Sequence, residues 1–251
     1  MTDMLEWIMA GFDPTVFATL LLGSFLGSFV TVALGIGGGV LLLAMMASLM
    51  PPVALIPVHG VIQIGSNILR AAIMRHHVYW PPFAAFALGT AVGVAFGGTV
   101  VVSLPPAIIQ ISVGAFVIWS VMYRPPRWLS VYPFVTGGIS SFLTMFFGAT
   151  GVFVANFTKS LELSRQPHVA THAVMMTLQH ALKVAAFWML GFAFAPWVGF
   201  AVVMIVVGFL GTLVGRQFLN RITDRGFKRA LNIVLIAISL RLIWQGTTTL
   251  L

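Results

Sequence analysis

The chain has little charge, few acidic residues and no cysteine. Only 7% of its 251 residues are charged, and 5 Asp and Glu stand against 13 Lys and Arg. So few charges cannot cover the surface of a water-soluble domain of this size. The lack of cysteine excludes disulfides and thiolate metal sites, and it leaves the redox compartment open. Lipid must therefore replace much of the water around this protein.

The sequence contains long runs without any charged residue. No Lys, Arg, Asp or Glu occurs between Asp13 and Arg70, or between Lys183 and Arg216. A helix of about 20 apolar residues spans a bilayer, so each run has room for at least one span. The runs are continuously apolar rather than alternating, which favours helices over a β-barrel. The sequence predicts an all-α integral membrane protein, with the lipid bilayer as a partner.

The basic residues show how the chain is oriented. A net charge of +8 would suggest nucleic acid as the partner of a soluble protein. Here the Lys and Arg residues cluster in short loops, as is typical of loops that stay in the cytoplasm, so we expect no nucleic-acid partner. The residues placed in the cytoplasm are Arg75, Arg124, Arg127, Lys159, Arg165, Arg216, Arg221, Arg225, Lys228 and Arg229.

One unit of sequence occurs twice. At an offset of 113 residues, Gly27–Thr31 matches Ser140–Thr144, and further on His59 matches His172 and Arg70 matches Lys183. After a small insertion the offset becomes 118, and two Gly-x-x-x-Gly motifs meet: Gly93 and Gly97 fall on Gly211 and Gly215. Apolar composition alone would not readily produce a matching His pair and a matching cation pair. We therefore predict one membrane domain made of two repeats, 14–123 and 129–247.

Each repeat is predicted to contain five helical segments. Those of the first are Val16–Leu34, Val40–Leu49, Val53–Met74, Phe83–Val102 and Ala107–Met122, and those of the second are Val131–Phe147, Val152–Thr158, His168–Leu190, Val198–Val214 and Phe227–Trp244. The second segment of each repeat is too short to span a bilayer, so we expect a half-helix or a hairpin there. An odd number of crossings per repeat, with all basic loops inside, makes the second repeat inverted relative to the first.

Glycine-rich breaks precede both short segments. They are Gly35-Ile36-Gly37-Gly38-Gly39 and Gly148-Ala149-Thr150-Gly151. A half-helix that begins at such a break presents unpaired N–H groups and the positive end of its dipole, and two such ends would hold an anion. On this hypothesis a side chain at Gly38 or Gly151 blocks the anion. The alternative is that these glycines only allow helices to cross closely.

Polar residues on the next segment of each repeat mark the second part of the candidate site. His59, Gln63, Ser66, Asn67 and Arg70 share one helix face, and the second repeat carries a similar stripe. Polar side chains at membrane depth usually face a cavity or a partner. For Arg70 and Lys183 the alternative is anchoring at the membrane interface. The candidate substrate-binding residues are Gly37, Gly38, Gly39, His59, Gln63, Asn67, Arg70, Thr150, Gly151, His172, Gln179, His180 and Lys183, with His59 and His172 facing one central site.

The absence of acidic residues selects among functions. All five, Asp3, Glu6, Asp13, Glu162 and Asp224, lie outside the predicted helices. Without carboxylates a cation site is disfavoured, whereas His, Arg, Lys and helix N-termini favour a small anionic substrate. The sequence thus predicts a secondary transporter of anions, with no cofactor and no metal, and a homodimer is left open. An anion channel is an alternative. An intramembrane enzyme is less favoured because there is no His-Glu-x-x-His, no Gly-x-Ser-x-Gly and no catalytic residue to name.

Three features together are similar to a known family. With the motif Gly35-Ile36-Gly37-Gly38-Gly39, the loop His76-His77-Val78-Tyr79-Trp80 and the duplicated layout, the chain resembles the TauE/SafE family of membrane permeases over nearly its whole length. The resemblance implies export of sulfite, sulfoacetate and related organosulfonates from the bacterial cytoplasm. It also implies a multi-pass protein of the inner membrane. Sulfur chemistry follows from the resemblance alone and not from composition.

Overall fold

The computed structural model describes residues 2–34, 37–101, 105–123, 125–218 and 225–250. In these ranges the chain forms helices and turns without any strand, so the prediction of an all-α protein is confirmed. The helices are α1 (Thr2–Met9), α2 (Pro14–Leu34), α3 (Gly38–Leu49), α4 (Pro52–Ile73), α5 (Phe83–Val101), α6 (Pro106–Met122), α7 (Pro133–Phe147), α8 (Gly151–Ser160), α9 (Arg165–Met189), α10 (Val198–Phe218) and α11 (Arg225–Leu250).

The ten predicted segments correspond to α2–α11. Helix α1 was not predicted, and it places Asp3 and Glu6 in a helix, where no acidic residue was expected. It packs on α10, because Trp7 lies against Gly199 at the start of that helix. Helices α10 and α11 continue to Phe218 and Leu250, beyond their predicted ends, since a charged or hydroxyl side chain at a helix end does not stop the backbone ladder.

Helix length separates membrane spans from half-helices. Within the described residues, five helices are long and apolar enough to cross a bilayer, and they lie in Pro14–Leu34, Pro52–Ile73, Phe83–Val101, Ala195–Phe218 and Arg229–Leu250. By contrast, α3 and α8 have 12 and 10 residues. At about 1.5 Å per residue they are roughly half as long as a hydrocarbon core of about 30 Å is thick. The chain is thus a multi-pass membrane protein in which both short segments are helices.

Glycines bring two helix pairs into backbone contact, α5 with α7 and α10 with α2. A Cβ added at Gly93 would lie 2.1 Å from the carbonyl oxygen of Gly138, and one added at Gly211 would lie 2.1 Å from that of Phe25. Gly138 and Phe25 are also equivalent at the offset of 113 residues. The same close crossing therefore occurs at matching positions of the two sequence copies. That the copies have opposite orientations in the membrane stays a prediction.

The outer faces of these helices are apolar and exposed. On α5, Leu88, Val92 and Phe96 recur every four residues and are exposed, and the equivalent residues Val206 and Leu210 of α10 are exposed too. Such stripes are suited to lipid. Helices α4 and α9 instead pack on each other inside the bundle, and their polar faces are buried. This arrangement places the polar stripes beside the starts of α3 and α8.

Candidate functional site

A cavity lies where both half-helices begin. The start of α3 contributes Gly37, Gly39 and Val40 to its wall, and the start of α8 contributes Ala149, Gly151 and Val152. The remaining lining residues are Thr31, His59, Gln63, Asn67, His172, Met176 and His180. The space open to the centre of a water molecule is ≈ 40 Å³. Since one water needs about 10–15 Å³ by this measure, the cavity has room for roughly three waters or one small polyatomic ion.

Both helix starts present backbone donors to this cavity. The first N–H groups of an α-helix have no acceptor within the helix, and the helix dipole makes that end positive. Gly37 has φ 105°, a left-handed conformation that glycine adopts without strain, and it lets the chain turn into α3. At the start of α8, the Thr150 hydroxyl does not cap the helix but donates to the carbonyl oxygen of Ser140 at 2.8 Å. The Phe153 N–H bonds to the carbonyl oxygen of Thr150 at 3.1 Å, so the N–H groups of Gly151 and Val152 are the donors at this start that are left for a ligand.

Three histidines meet at the cavity. His59 Nε2 lies 3.1 Å from the carbonyl oxygen of Gly39, and His172 Nε2 lies 3.3 Å from that of Gly151. Because a carbonyl oxygen only accepts, each of these Nε2 atoms carries the hydrogen. The ring of His180 meets the ring of His59 edge-on with centroids 5.9 Å apart, and its buried Nδ1 has no hydrogen-bond partner among the described residues. His59 and His172 thus border one cavity, as predicted; whether they contact a substrate stays a prediction.

A ladder of hydrogen bonds fixes the polar face of α4. The ladder begins at Gln63, whose side-chain amide lies 3.1 Å from His59 Nε2 in a contact that is not a hydrogen bond, because that Nε2 donates to Gly39. Asn67 donates to the carbonyl oxygen of Gln63 at 2.8 Å, and Arg70 donates to Asn67 Oδ1 at 2.9 Å and to the Ser66 hydroxyl at 3.2 Å. Each bond joins residues three or four apart, because these lie on one helix face. The ladder holds the side chains that line the cavity in fixed orientations.

Helix α9 forms a second set of bonds around the start of α8. Lys183 Nζ donates to the carbonyl oxygen of Gly148 at 3.0 Å, and Gln179 Nε2 donates to the Thr150 hydroxyl at 2.8 Å. The Lys183 side chain reaches α4, where a Cβ at Gly60 would lie 2.9 Å from its Cε. The polar stripe of α9 therefore ties the break before α8 to the bundle.

The burial of Arg70 and Lys183 decides between the two interpretations of these cations. They are 1% and 0% exposed, so the alternative of anchoring at the membrane interface is wrong. Neither side chain lines the cavity. In the part of the chain that the structure describes, no carboxylate bonds to either of them. Two basic groups therefore lie buried behind the cavity wall.

Gly38 and Gly151 occupy equivalent sequence positions in different surroundings. A Cβ at Gly38 would lie 1.6 Å from the carbonyl oxygen of Gly27, so this glycine lies at a backbone crossing of α2 and α3 and not in the cavity wall. A Cβ at Gly151 would lie 3.6 Å from His172 Nε2 and 3.5 Å from Met176 Cε, both ordinary contacts. The close-crossing interpretation thus applies to Gly38, whereas Gly151 faces the cavity.

The structure separates the predicted site residues into two groups. Gly37, Gly39, His59, Gln63, Asn67, Gly151, His172 and His180 line the cavity, whereas Gly38, Arg70, Thr150, Gln179 and Lys183 lie behind its wall. Gly35 and Ile36 of the first break are outside the described residues. Sequence reasoning missed Thr31, Val40, Ala149, Val152 and Met176 as lining residues. Two of them had a usable signal, since Thr31 lies in the repeated motif and Met176 aligns with Gln63.

The cavity continues toward one end of the bundle. A space of ≈ 210 Å³ shares Gly37, Val40 and Val152 with it, and that space shares Leu34 and Ser120 with a wider one of ≈ 850 Å³. The wider space is lined by the outer half of α8. The equivalent half of α3 is packed in the apolar core instead, with Leu42, Leu43 and Met46 nearly or fully buried. In the described residues the site is thus accessible along α8 and covered along α3.

Comparison with protein families returns a match over most of the chain. A model of the family described as sulfite exporter TauE/SafE matches residues 20–242. These bounds take in most of α2, all of α3–α10, most of α11 and each residue named above as lining the cavity. Comparison with curated proteins and with solved structures returns no match.

Proposed function

The chain belongs to the sulfite exporter TauE/SafE family, and from this premise we propose that it is a secondary transporter that exports sulfite or organosulfonates across the bacterial inner membrane. The family is one of transporters, so the chain is assigned transport rather than catalysis. The observation that carries the proposal is the cavity at which two half-helix N-termini and three histidines meet, with Arg70 and Lys183 buried behind it.

The chemistry of this wall suits an oxyanion. Backbone N–H groups at helix starts donate to the oxygens of a sulfite or sulfonate group. His59 and His172 use their Nε2–H on the carbonyl oxygens of Gly39 and Gly151, so each gains a second N–H for the anion when its ring is protonated. In a site shielded from water, positive charges such as those of Arg70 and Lys183 stabilise an anion more strongly than in bulk solvent. Helices α2–α11 contain no Asp or Glu, so no carboxylate within them opposes the anion. A cavity of ≈ 40 Å³ favours a group of sulfite size.

Access along α8 and closure along α3 support a carrier rather than a channel. A carrier exposes its site to one side of the membrane at a time, whereas an open channel needs a continuous path. The burial of Leu42, Leu43 and Met46 is what a closed side requires. On this proposal the accessible side is cytoplasmic, because Lys159 and Arg165 line it.

Transport of labelled anions into inside-out vesicles tests the function. We expect saturable uptake of sulfite or sulfoacetate, and weaker uptake of taurine, which carries a positive amine. The His172→Phe variant should lose uptake, and the matched control His76→Phe, in the exposed loop after α4, should keep it. Conductance far above carrier rates would favour the anion channel. Uptake of inorganic cations but of no anion would refute the proposal.

The inverted orientation of the two repeats is tested by labelling. The chain has no cysteine, so a single introduced cysteine is a clean reporter. We expect Thr2→Cys to react with an impermeant reagent added outside and Arg127→Cys to react only from the cytoplasm. The reverse pattern would contradict the proposed orientation.

A further inference from the structure

A wide vestibule lies at the accessible end of the bundle. Its walls come from the end of α6, the outer half of α8 and the start of α9, and it has a volume of ≈ 850 Å³. The narrower space of ≈ 210 Å³ has lining residues in common with both the vestibule and the central cavity. The vestibule thus lies next to the space that borders the central cavity.

The charges that line the vestibule have one sign. Within the described residues the basic side chains that line it are Lys159, Arg165 and His168, and no Asp or Glu lines it. Lys159 is exposed at the last turn of α8. The Arg165 guanidinium donates to the carbonyl oxygen of Ala33 at 2.5 Å, which holds it at the end of α2. Glu162, on the turn between α8 and α9, is exposed and is not a lining residue.

The first repeat shows that these charges are not needed for the fold. At the offset of 113 residues, Met46, Pro52 and Leu55 occupy the positions of Lys159, Arg165 and His168. Met46 and Leu55 are 0% exposed in the apolar core. The same helix–turn–helix unit therefore forms with apolar residues at these positions. The basic set in the second repeat thus needs a reason other than folding.

We propose that the vestibule is a second, weaker binding site for small oxyanions, which collects them before they enter the central cavity. This inference rests on the proposed function. The charges of Lys159 and Arg165 beside a partly enclosed space raise the local concentration of anions and hence their rate of entry. Among the described residues its wall carries no ladder of hydrogen-bonded side chains like that of α4, so the vestibule attracts by charge and releases the anion readily.

An anionic lipid headgroup carries the same chemistry as a free oxyanion. The vestibule is assigned to the free anion because it leads inward: Ser120 and Val121 line both the vestibule and the narrower space beyond it. A headgroup tethered to its acyl chains would stay at the membrane surface. The two sources are separated below by lipid composition.

The rate at which a cysteine in the vestibule is modified reports the electrostatic potential there, and this measurement does not depend on transport. Ser120 is half-buried in the vestibule wall and donates only to the carbonyl oxygen of Val117 in its own helix, so Ser120→Cys is a near-isosteric reporter. The rates of modification by an anionic and by a cationic methanethiosulfonate are compared in phosphatidylcholine proteoliposomes. The ratio of the two rates reports local potential, because any change in thiol ionisation affects both reagents equally.

We expect the anionic reagent to be favoured. Lys159→Glu should lower the rate ratio about five- to tenfold at low ionic strength, and salt should abolish the effect, as for a charge about 10 Å away in water. The control Arg75→Glu makes the same charge change on an exposed residue outside the vestibule. An unreactive sulfonate such as ethanesulfonate should slow the anionic reagent. No response to Lys159→Glu, or an equal response to Arg75→Glu, would overturn the proposal.

Two further experiments vary the lipid composition and measure transport. If a headgroup occupied the vestibule, added phosphatidylglycerol would remove the preference for the anionic reagent, and this too would overturn the proposal. In flux assays Lys159→Glu should raise KM for sulfite several-fold at low salt with kcat unchanged. If the wild type transports no sulfur anion but the thiol ratio responds as expected, the substrate assignment fails and the vestibule stands.

Discussion

Alanine substitutions at the equivalent positions Gly38 and Gly151 should have different effects: one on the stability of the protein and the other on its affinity for the anion. At Gly38 the new Cβ would lie 1.6 Å from the carbonyl oxygen of Gly27. A carbon and an oxygen rarely approach closer than about 3.3 Å, so α2 and α3 would have to move apart by well over 1 Å. Overpacking of this kind costs about 1–3 kcal/mol, and here the obstacle is backbone that cannot rotate away. Gly38→Ala should therefore lose about 3 kcal/mol of stability.

At Gly151 the same methyl group meets only free space and ordinary contacts. Its nearest neighbours would be Met176 Cε at 3.5 Å and His172 Nε2 at 3.6 Å. Stability should stay within about 0.5 kcal/mol of the wild type, as for most substitutions that meet no clash. The methyl group would, however, occupy part of a cavity of ≈ 40 Å³ and cover N–H groups at the start of α8. We expect KM for the anion to rise about tenfold, which is about 1.4 kcal/mol.

Two measurements on each variant decide the matter. Thermal unfolding in detergent gives stability, and saturable flux in vesicles gives KM. Gly151→Ala should be stable with a raised KM, and Gly38→Ala should be unstable. A Gly151→Ala protein with the KM of the wild type would refute the cavity as the anion site. A Gly38→Ala protein as stable as the wild type would refute the close crossing of α2 and α3.

Further substitutions test the histidines and the close helix crossings. His59→Phe and His172→Phe should each raise KM for the anion about ten- to a hundredfold, because each removes a hydrogen bond to a charged group. Gln at either position should keep part of the affinity. Normal expression with unchanged KM in both Phe variants would contradict the assignment of these histidines to the anion site. Gly93→Ala and Gly211→Ala should lose similar amounts of stability, about 2–3 kcal/mol. The control Gly98→Ala should lose little, because its new Cβ would lie 3.9 Å from Leu190 Cδ1. Unequal losses at Gly93 and Gly211 would contradict the equivalence of the two crossings.

Much of the fold could be predicted because its signals are local. Uninterrupted apolar runs gave ten segments that match α2–α11, and residues three or four apart on α4 formed the expected polar face. The match of His59 with His172 pointed to two helices that border one cavity. Helix α1 escaped prediction because its eight residues include two acidic ones and it is too short to span the membrane. Its position depends on contact with α10.

The candidate site was predicted less completely, because a lining residue is defined by several helices at once. Val40, Ala149 and Val152 line the cavity through their position at helix starts, and their apolar side chains give no signal in the sequence. Thr150 and Gln179 are polar and close by, yet they bond to each other and to Ser140 behind the wall. The sequence shows which side chains are polar, but the packing of the helices determines which of them form hydrogen bonds with each other and which line the cavity.

The sequence by itself determined the membrane environment, the all-helical class, the two copies of one unit, the broken segments and the lack of carboxylates in the ten predicted segments. These properties follow from composition, run length and spacing, which depend on nearby residues alone. The tertiary structure decided that Gly38 crosses a helix while Gly151 faces the cavity, and that Arg70 and Lys183 are buried behind the histidines. It also decided that α8 borders open space where α3 borders core. Equivalent residues differ in this way because each takes its surroundings from helices distant in sequence, and those helices differ between the two copies.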